Sequence, residues 1–207
     1  MSGPGSCRVC VFLDSQNVYH CARESFGLTS APARAGQVDP IALGRLLAAR
    51  VPAGVLTGVR IYRGRPSRRR DPRSFSAFRR QTSAWRAGGG LVSVVTRDLR
   101  YPGDWPALRA EEKGIDVALA VDFVLGGVRR EYDVGILFSS DSDLVPALEA
   151  VIALRPDEPP VCDVAAWAPV AGHARLLSVR GARLRRHVLS EADFRAVADS
   201  TDYTRGR

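Results

Sequence analysis

Lysine is almost missing from this 207-residue chain: Lys113 is the only one, although Lys and Arg together number 30. The bias toward arginine reads as the habit of a GC-rich genome more than as mechanism. Histidine is scarce too, and His20, His173 and His187 are scattered with no nucleophile–base arrangement. The four cysteines are irregularly spaced, which rules out a disulfide framework. Cys7 and Cys10 have CxxC spacing but fall in or beside a strand, where residues three apart face opposite ways. Such a pair chelates zinc poorly, and no second pair completes a site. No apolar run approaches the roughly 20 residues needed to span a bilayer. No charged segment followed by an apolar one opens the chain as a secretory signal would. A cytoplasmic protein without membrane partners is expected. Walker and dinucleotide fingerprints are missing, because Gly88-Gly89-Gly90 precede a strand instead of following one.

What the chain does have is positive charge, +8 net, with a pI near 10.0. That balance favours an anionic partner, and nucleic acid is the commonest. With 45% hydrophobic residues the chain can bury a core. One domain over 1–200 is expected, with 201–207 as a frayed tail.

Strand-like and helix-like segments alternate, which predicts an α/β fold with a largely parallel sheet and helices on its faces. Strands are expected at about Arg8–Leu13, Val59–Tyr62, Leu91–Thr96, Tyr132–Phe138 and Val161–Ala166, with an edge strand at Arg183–Leu189. Asp39-Pro40 and Asp71-Pro72 read as helix caps followed by proline in the first turn. Further helices are expected from Glu111 to about Leu125, over Leu144–Leu154 and Glu191–Ala198, with a short one at His173–Ser178. Irregular loops fall at 27–39 and 97–111, and a basic loop at 63–71. Phe75, Phe78 and Trp85 have helical spacing and read as core.

The carboxylates stand out. Ile136-Leu137-Phe138-Ser139-Ser140-Asp141-Ser142-Asp143-Leu144 reads as a buried strand ending in two acids and turning into a helix. Val9–Leu13 also ends in an acid, Asp14, and Asp116 sits at a helix start. Any one of these is explained as a helix cap. Asp14, Asp116, Asp141 and Asp143 together point to one acidic site at the carboxyl ends of the strands, where open α/β sheets bind ligands. Carboxylates are ligands for hard cations such as Mg²⁺ or Mn²⁺. Such an ion can activate water and stabilise a phosphoryl transition state. A basic protein with an acidic pocket fits phosphodiester hydrolysis.

Three motifs carry a family resemblance. Phe12-Leu13-Asp14-Ser15-Gln16-Asn17-Val18-Tyr19 resembles the opening strand and loop of NYN domains, in the PIN-like nuclease group. Lys113-Gly114-Ile115-Asp116-Val117-Ala118-Leu119-Ala120-Val121-Asp122 resembles their second motif, and Tyr132 to Asp143 their third. Order and spacing agree over roughly residues 8 to 190, and the LabA-like branch is the most similar. The resemblance implies a PIN-like three-layer sandwich and a metal-dependent ribonuclease. It places Asp14, Asp116, Asp141 and Asp143 as the catalytic and metal-holding acids. Asn17 would position Asp14 or a phosphate, and Ser139 and Ser140 would donate hydrogen bonds to substrate or carboxylate.

For RNA binding, the arginines from Arg63 to Arg80, Arg65, Arg68 and Arg69 among them, form the basic footprint, and Lys113 is a candidate to contact a phosphate or pair with a nearby acid. Tyr62 and Trp105 are candidates to stack single-stranded bases. Asp122 reads as structural. Asp141-Ser142-Asp143-Leu144-Val145 also fits the DxDx[TV] pattern of haloacid-dehalogenase-like phosphatases, but the lysine those enzymes need after it is missing. The alternative within the family is a non-catalytic RNA-binding or regulatory module. A homodimer and an inhibitory protein partner both stay open.

Overall fold

The computed structural model describes residues 5–154 and 162–205. Six strands build one sheet: β1 (Cys7–Asp14), β2 (Gly54–Arg65), β3 (Val92–Asp98), β4 (Val134–Phe138), β5 (Cys162–Trp167) and β6 (Arg185–Leu189). Their order is β3-β2-β1-β4-β5-β6, and every pair is parallel. The helices are α1 (Ser15–Ser25), α2 (Pro40–Ala49), α3 (Pro72–Ala87), α4 (Ile115–Val128), α5 (Val145–Leu154) and α6 (Glu191–Val197).

A parallel sheet needs cover on both faces, and two hydrophobic clusters supply it. On one face Val9, Val11 and Leu13 pack with Val18 and Ala22 of α1, Leu43 and Leu47 of α2, Trp85 of α3 and Phe194 of α6. On the other, Cys10 and Phe12 pack with Ile115, Leu119 and Phe123 of α4 and Leu148 and Val151 of α5. Adjacent β1 residues thus serve opposite faces, as the two-residue strand period requires. The result is an α/β sandwich with the sheet in the middle. Cys7 packs on the first cluster and Cys10 belongs to the second, so the CxxC pair is split across the sheet. Helix α4 is apolar nearly all round, yet Val117, Val121, Leu125 and Val128 on its outer side are exposed.

The local signals for the helix starts hold. Asp39 accepts from the amides of Ile41 and Ala42 at 2.8 and 2.9 Å, and Asp71 from Ser74 N at 3.0 Å. Several expectations need correction. Strand β2 is 12 residues long, so Arg63 and Arg65 belong to it and only the rest of 63–71 is loop. Tyr62 is 1% exposed and donates its hydroxyl to Asp122 Oδ2 at 2.9 Å. It is a core residue that no base can reach, and Asp122 is its structural partner. Residues 173–178 form no helix; Leu177, within the β5–β6 connection, is instead buried in the second cluster. The helix expected from Glu111 starts later, because Gly114 takes a left-handed conformation (φ 72°) at its N-cap. Val161, the expected start of β5, lies outside the described residues. Within the expected frayed tail, residues 201–205 are tethered: Arg80 donates to the carbonyls of Tyr203 and Thr204 at 2.7 and 3.1 Å.

The two irregular segments have definite shapes. Arg23 donates to the carbonyls of Thr29, Ala31 and Pro32 at 2.8, 2.8 and 3.0 Å, folding 27–39 back over α1. In 97–111, Arg100 and Glu111 exchange backbone hydrogen bonds of 2.9 Å, which pinches the segment into a loop. That pinch delivers Glu112 to the end of β2. No helix among the described residues is long and apolar enough to cross a membrane.

Candidate active site

The sheet order reverses between β1 and β4. In open α/β sheets the crevice at the carboxyl ends of such a strand pair is where ligands bind. Asp14 ends β1 and Ser139-Ser140-Asp141 follow β4, so the two motifs meet at this point.

Hydrogen bonds lock them together. Asp14 is 7% exposed. Its Oδ1 accepts from Asn17 N at 3.0 Å, capping α1, and its Oδ2 accepts from Ser139 Oγ at 2.8 Å. Ser139 Oγ in turn accepts from Asp141 N at 3.1 Å. Asn17 donates from Nδ2 to Ser140 Oγ at 3.0 Å, and its Oδ1 accepts from Ser140 N at 3.0 Å. Asn17 and the serines therefore hold the carboxylate and each other. Asp141 also caps the turn after β4, accepting from Asp143 N at 3.0 Å. Its bland role and its place in the acidic group coexist.

The acids are close enough to repel one another. Burial pushes the Asp14 carboxyl above its usual range, and the charges of Asp116 and Asp141 push it further, against the pull of Asn17 and Ser139. Burial likewise raises Asp116, helped by Asp141 and Asp143. Asp143 is exposed and sits at the rim.

Glu112 belongs to the group and the sequence motifs miss it. Its Oε1 accepts from Gly64 N at 2.6 Å. Burial raises its proton affinity, and Asp14 and Asp116 add to that. Gly64 makes the approach feasible: a Cβ there would lie 2.9 Å from Glu112 Cγ. The sequence signal is faint, a glutamate two residues before a glycine that starts a helix.

Oxygen donors of this kind match a hard divalent cation in chemistry. Among the described residues, however, no three His, Cys, Asp or Glu side chains stand close enough to hold one ion together. The fit is to an ion held directly by one or two carboxylates with water filling the remaining positions, the usual habit of Mg²⁺.

The basic residues divide. Arg68 and Arg69 are exposed on the loop after β2, and Lys113 is exposed beside the acids. Arg65 is tied to Asp98 at 2.6 Å. Arg63 points away from the surface loop: it donates to Gln81 Oε1 at 2.7 Å and packs over the rings of Phe78 and Trp85 at 4.8 and 5.3 Å. Burial lowers its pKa to about 10. Trp105 is half-buried against Tyr101 and lines a cavity next to the acids.

Comparison with known proteins adds a family. The family model described as NYN domain matches residues 8–154, a span holding all three motifs together with Asp14, Glu112, Asp116, Asp141 and Asp143. No curated protein matches. One solved structure, a protein of unknown function from Vibrio parahaemolyticus, is similar at 17% identity and a TM-score of 0.49, covering 81% of this chain and 84% of the other.

Proposed function

Because the chain belongs to the NYN domain family of PIN-like nucleases, we propose that it is a metal-dependent endoribonuclease hydrolysing phosphodiester bonds of single-stranded or loop RNA. The supporting observation is the lock between the ends of β1 and β4, which fixes Asp14 in a crevice shared with Asp116, Asp141 and Glu112.

Asp14 and Asp141 are the residues to hold Mg²⁺ or Mn²⁺, with Asp116 and Asp143 acting across water. The bound ion would supply Lewis acidity, drawing charge from a phosphoryl oxygen and making water easier to deprotonate. The chain's own groups do the rest. Asn17 N and Ser139 Oγ fix the rotamer of Asp14, so its free lone pairs face the crevice in a set direction. Asp116, partly exposed and with raised proton affinity, accepts the proton of the attacking water. Lys113, Arg68 and Arg69 hold flanking phosphates, and Trp105 offers a ring for a base. RNA is then the partner, and the acids act in their ionised form, their charge balanced by the cation.

The test is a labelled RNA incubated with Mg²⁺, Mn²⁺ or EDTA. The reading expects products with a divalent ion and none in EDTA. Products in EDTA would remove it. A second reading, an RNA-binding module without turnover, is favoured by the lack of three preassembled ligands among the described residues. It expects salt-sensitive binding and no products with any divalent ion.

A further inference from the structure

A cavity of about 480 Å³ opens beside the acids and takes no part in their hydrogen-bond lock. Leu13, Ile61 and Arg63 come from the strand ends, and both irregular segments wall it, through Gln37 and Trp105 among others. Its volume lies within the roughly 300–1,000 Å³ of small-molecule sites.

The polar groups around it are not those of a finished core. Trp85 is 9% exposed, and its indole N–H is buried without a hydrogen-bond partner. Buried donors are nearly always paired, so this one calls for an explanation. The Arg63 guanidinium is held between the Phe78 and Trp85 rings and bonds a neutral amide, Gln81. The carboxylate that acts on it is Glu112, which lines the same cavity but makes no direct ion pair with it. Gln81 passes the chain on, donating to Gln37 Oε1 at 3.0 Å. A third amide, Gln16, lines the same space. Trp85 with its unpaired N–H, an arginine that feels Glu112 without a direct ion pair, and amides that both donate and accept all belong to residues bordering one cavity. Together they suit a ligand with a flat ring, hydrogen-bonding edges and a negative group that shares Arg63 with Glu112.

We infer that the cavity is a subsite for one unstacked nucleotide of the RNA strand, its base inside and a phosphate oxygen at Arg63. The inference rests on the nuclease reading for its substrate. Glu112 marks the junction: it lines the cavity, is repelled by Asp14 and Asp116 and is attracted by Arg63. A sugar–phosphate leaving the cavity passes straight to the carboxylates.

The test is calorimetric titration of the full chain with AMP, GMP, CMP and UMP in EDTA, with the parent nucleosides and inorganic phosphate as controls. At least one monophosphate should bind saturably, and about tenfold more tightly than its nucleoside or phosphate alone. Trp85→Phe keeps an aromatic wall, though a smaller one, and removes the N–H; it should weaken binding severalfold. Arg63→Gln should weaken it by about tenfold or more, with circular dichroism confirming each fold. Gln37→Ala provides a third variant should Arg63→Gln misfold, and it should also weaken binding. No saturable binding by any of the four, or binding unchanged in the folded variants, would overturn the subsite. EDTA keeps the two claims separate. Monophosphate binding without RNA cleavage sinks the nuclease reading alone, and cleavage without monophosphate binding sinks the subsite alone.

Discussion

Ser139 Oγ donates to Asp14 Oδ2 at 2.8 Å, joining the end of one central strand to the end of its neighbour. The bond favours the ionised carboxylate and opposes the burial that raises its pKa. In Ser139→Ala the Asp14 pKa rises further, so the acid limb of the pH–rate profile moves to higher pH. Measured kcat against pH for the two proteins shows the shift; coincident acid limbs would mean that Asp14 does not titrate in the reaction.

The acidic group should work against the fold when no cation is present. Asp14, Asp116 and Glu112 all have proton affinities raised first by burial. A carboxyl raised in the folded state binds more protons folded than unfolded above about pH 4, so its contribution falls as pH rises through that window. Asp14→Asn removes one such carboxyl and keeps an oxygen for Asn17 N. In EDTA its Tm should match or exceed the wild type at pH 7, with the gap closing or reversing near pH 4. Added Mg²⁺ should raise the wild-type Tm at pH 7 and leave the variant nearly unmoved. Thermal melts at both pH values decide it.

These acids also show what the sequence could and could not reveal. Asp14 and Asp141 are legible because each follows a run of buried strand residues, and a strand end is a fixed address in a parallel sheet. The reversal of strand order between β1 and β4 is not legible, since nothing local encodes which strand pairs with which. Glu112 is hidden for a similar reason. Its place depends on the Arg100–Glu111 pinch, which closes a loop with no regular structure of its own, and on contact with Gly64, made across a long stretch of chain. Tyr62 misleads because Arg60 and Arg63 disguise a strand that continues to Arg65. In fact Arg60 packs over Phe12 and pairs with Glu131, so its charge sits at home on a covered sheet. The 173–178 segment suggests a helix, yet Leu177 is buried from irregular chain, with Leu176 N bonded back to the Ala174 carbonyl at 3.0 Å.

Glu112→Gln isolates the residue the motifs miss. Glutamine keeps an oxygen for Gly64 N, so the loop stays in place while a negative charge leaves the crevice. Cleavage should fall by about 10–100-fold, the scale seen when groups supporting a metal site are changed. Single-turnover rates with saturating Mn²⁺ measure it. A rate equal to wild type would leave Glu112 as a loop anchor only.

Arg68 and Arg69 should act as point charges on the RNA backbone. Replacing both with glutamine should flatten the plot of log binding constant against log salt by about 0.7 for each phosphate of single-stranded RNA that is no longer neutralised. Filter binding across a salt series measures the slope. An unchanged slope would place the RNA track elsewhere.

Away from the crevice, His187 and Asp163 form a buried pair at 2.8 Å, 3% and 1% exposed, tying β6 to β5. Asp163→Ala leaves a buried imidazole nitrogen without its hydrogen-bond partner and should cost about 1–3 kcal/mol. Removing the exposed Glu191–Arg195 pair should cost no more than about 0.5 kcal/mol. Urea denaturation compares the two, and equal losses would contradict the structural role of the buried pair.

The measurement that reaches the central claim most directly sets Asp14→Asn beside the wild type on one labelled RNA with Mn²⁺, scoring binding and product together. Retained RNA binding with no product is the predicted result. Product formed by the variant at the wild-type rate would contradict the assignment of Asp14, and with it the crevice between β1 and β4 as the place where the strand is cut.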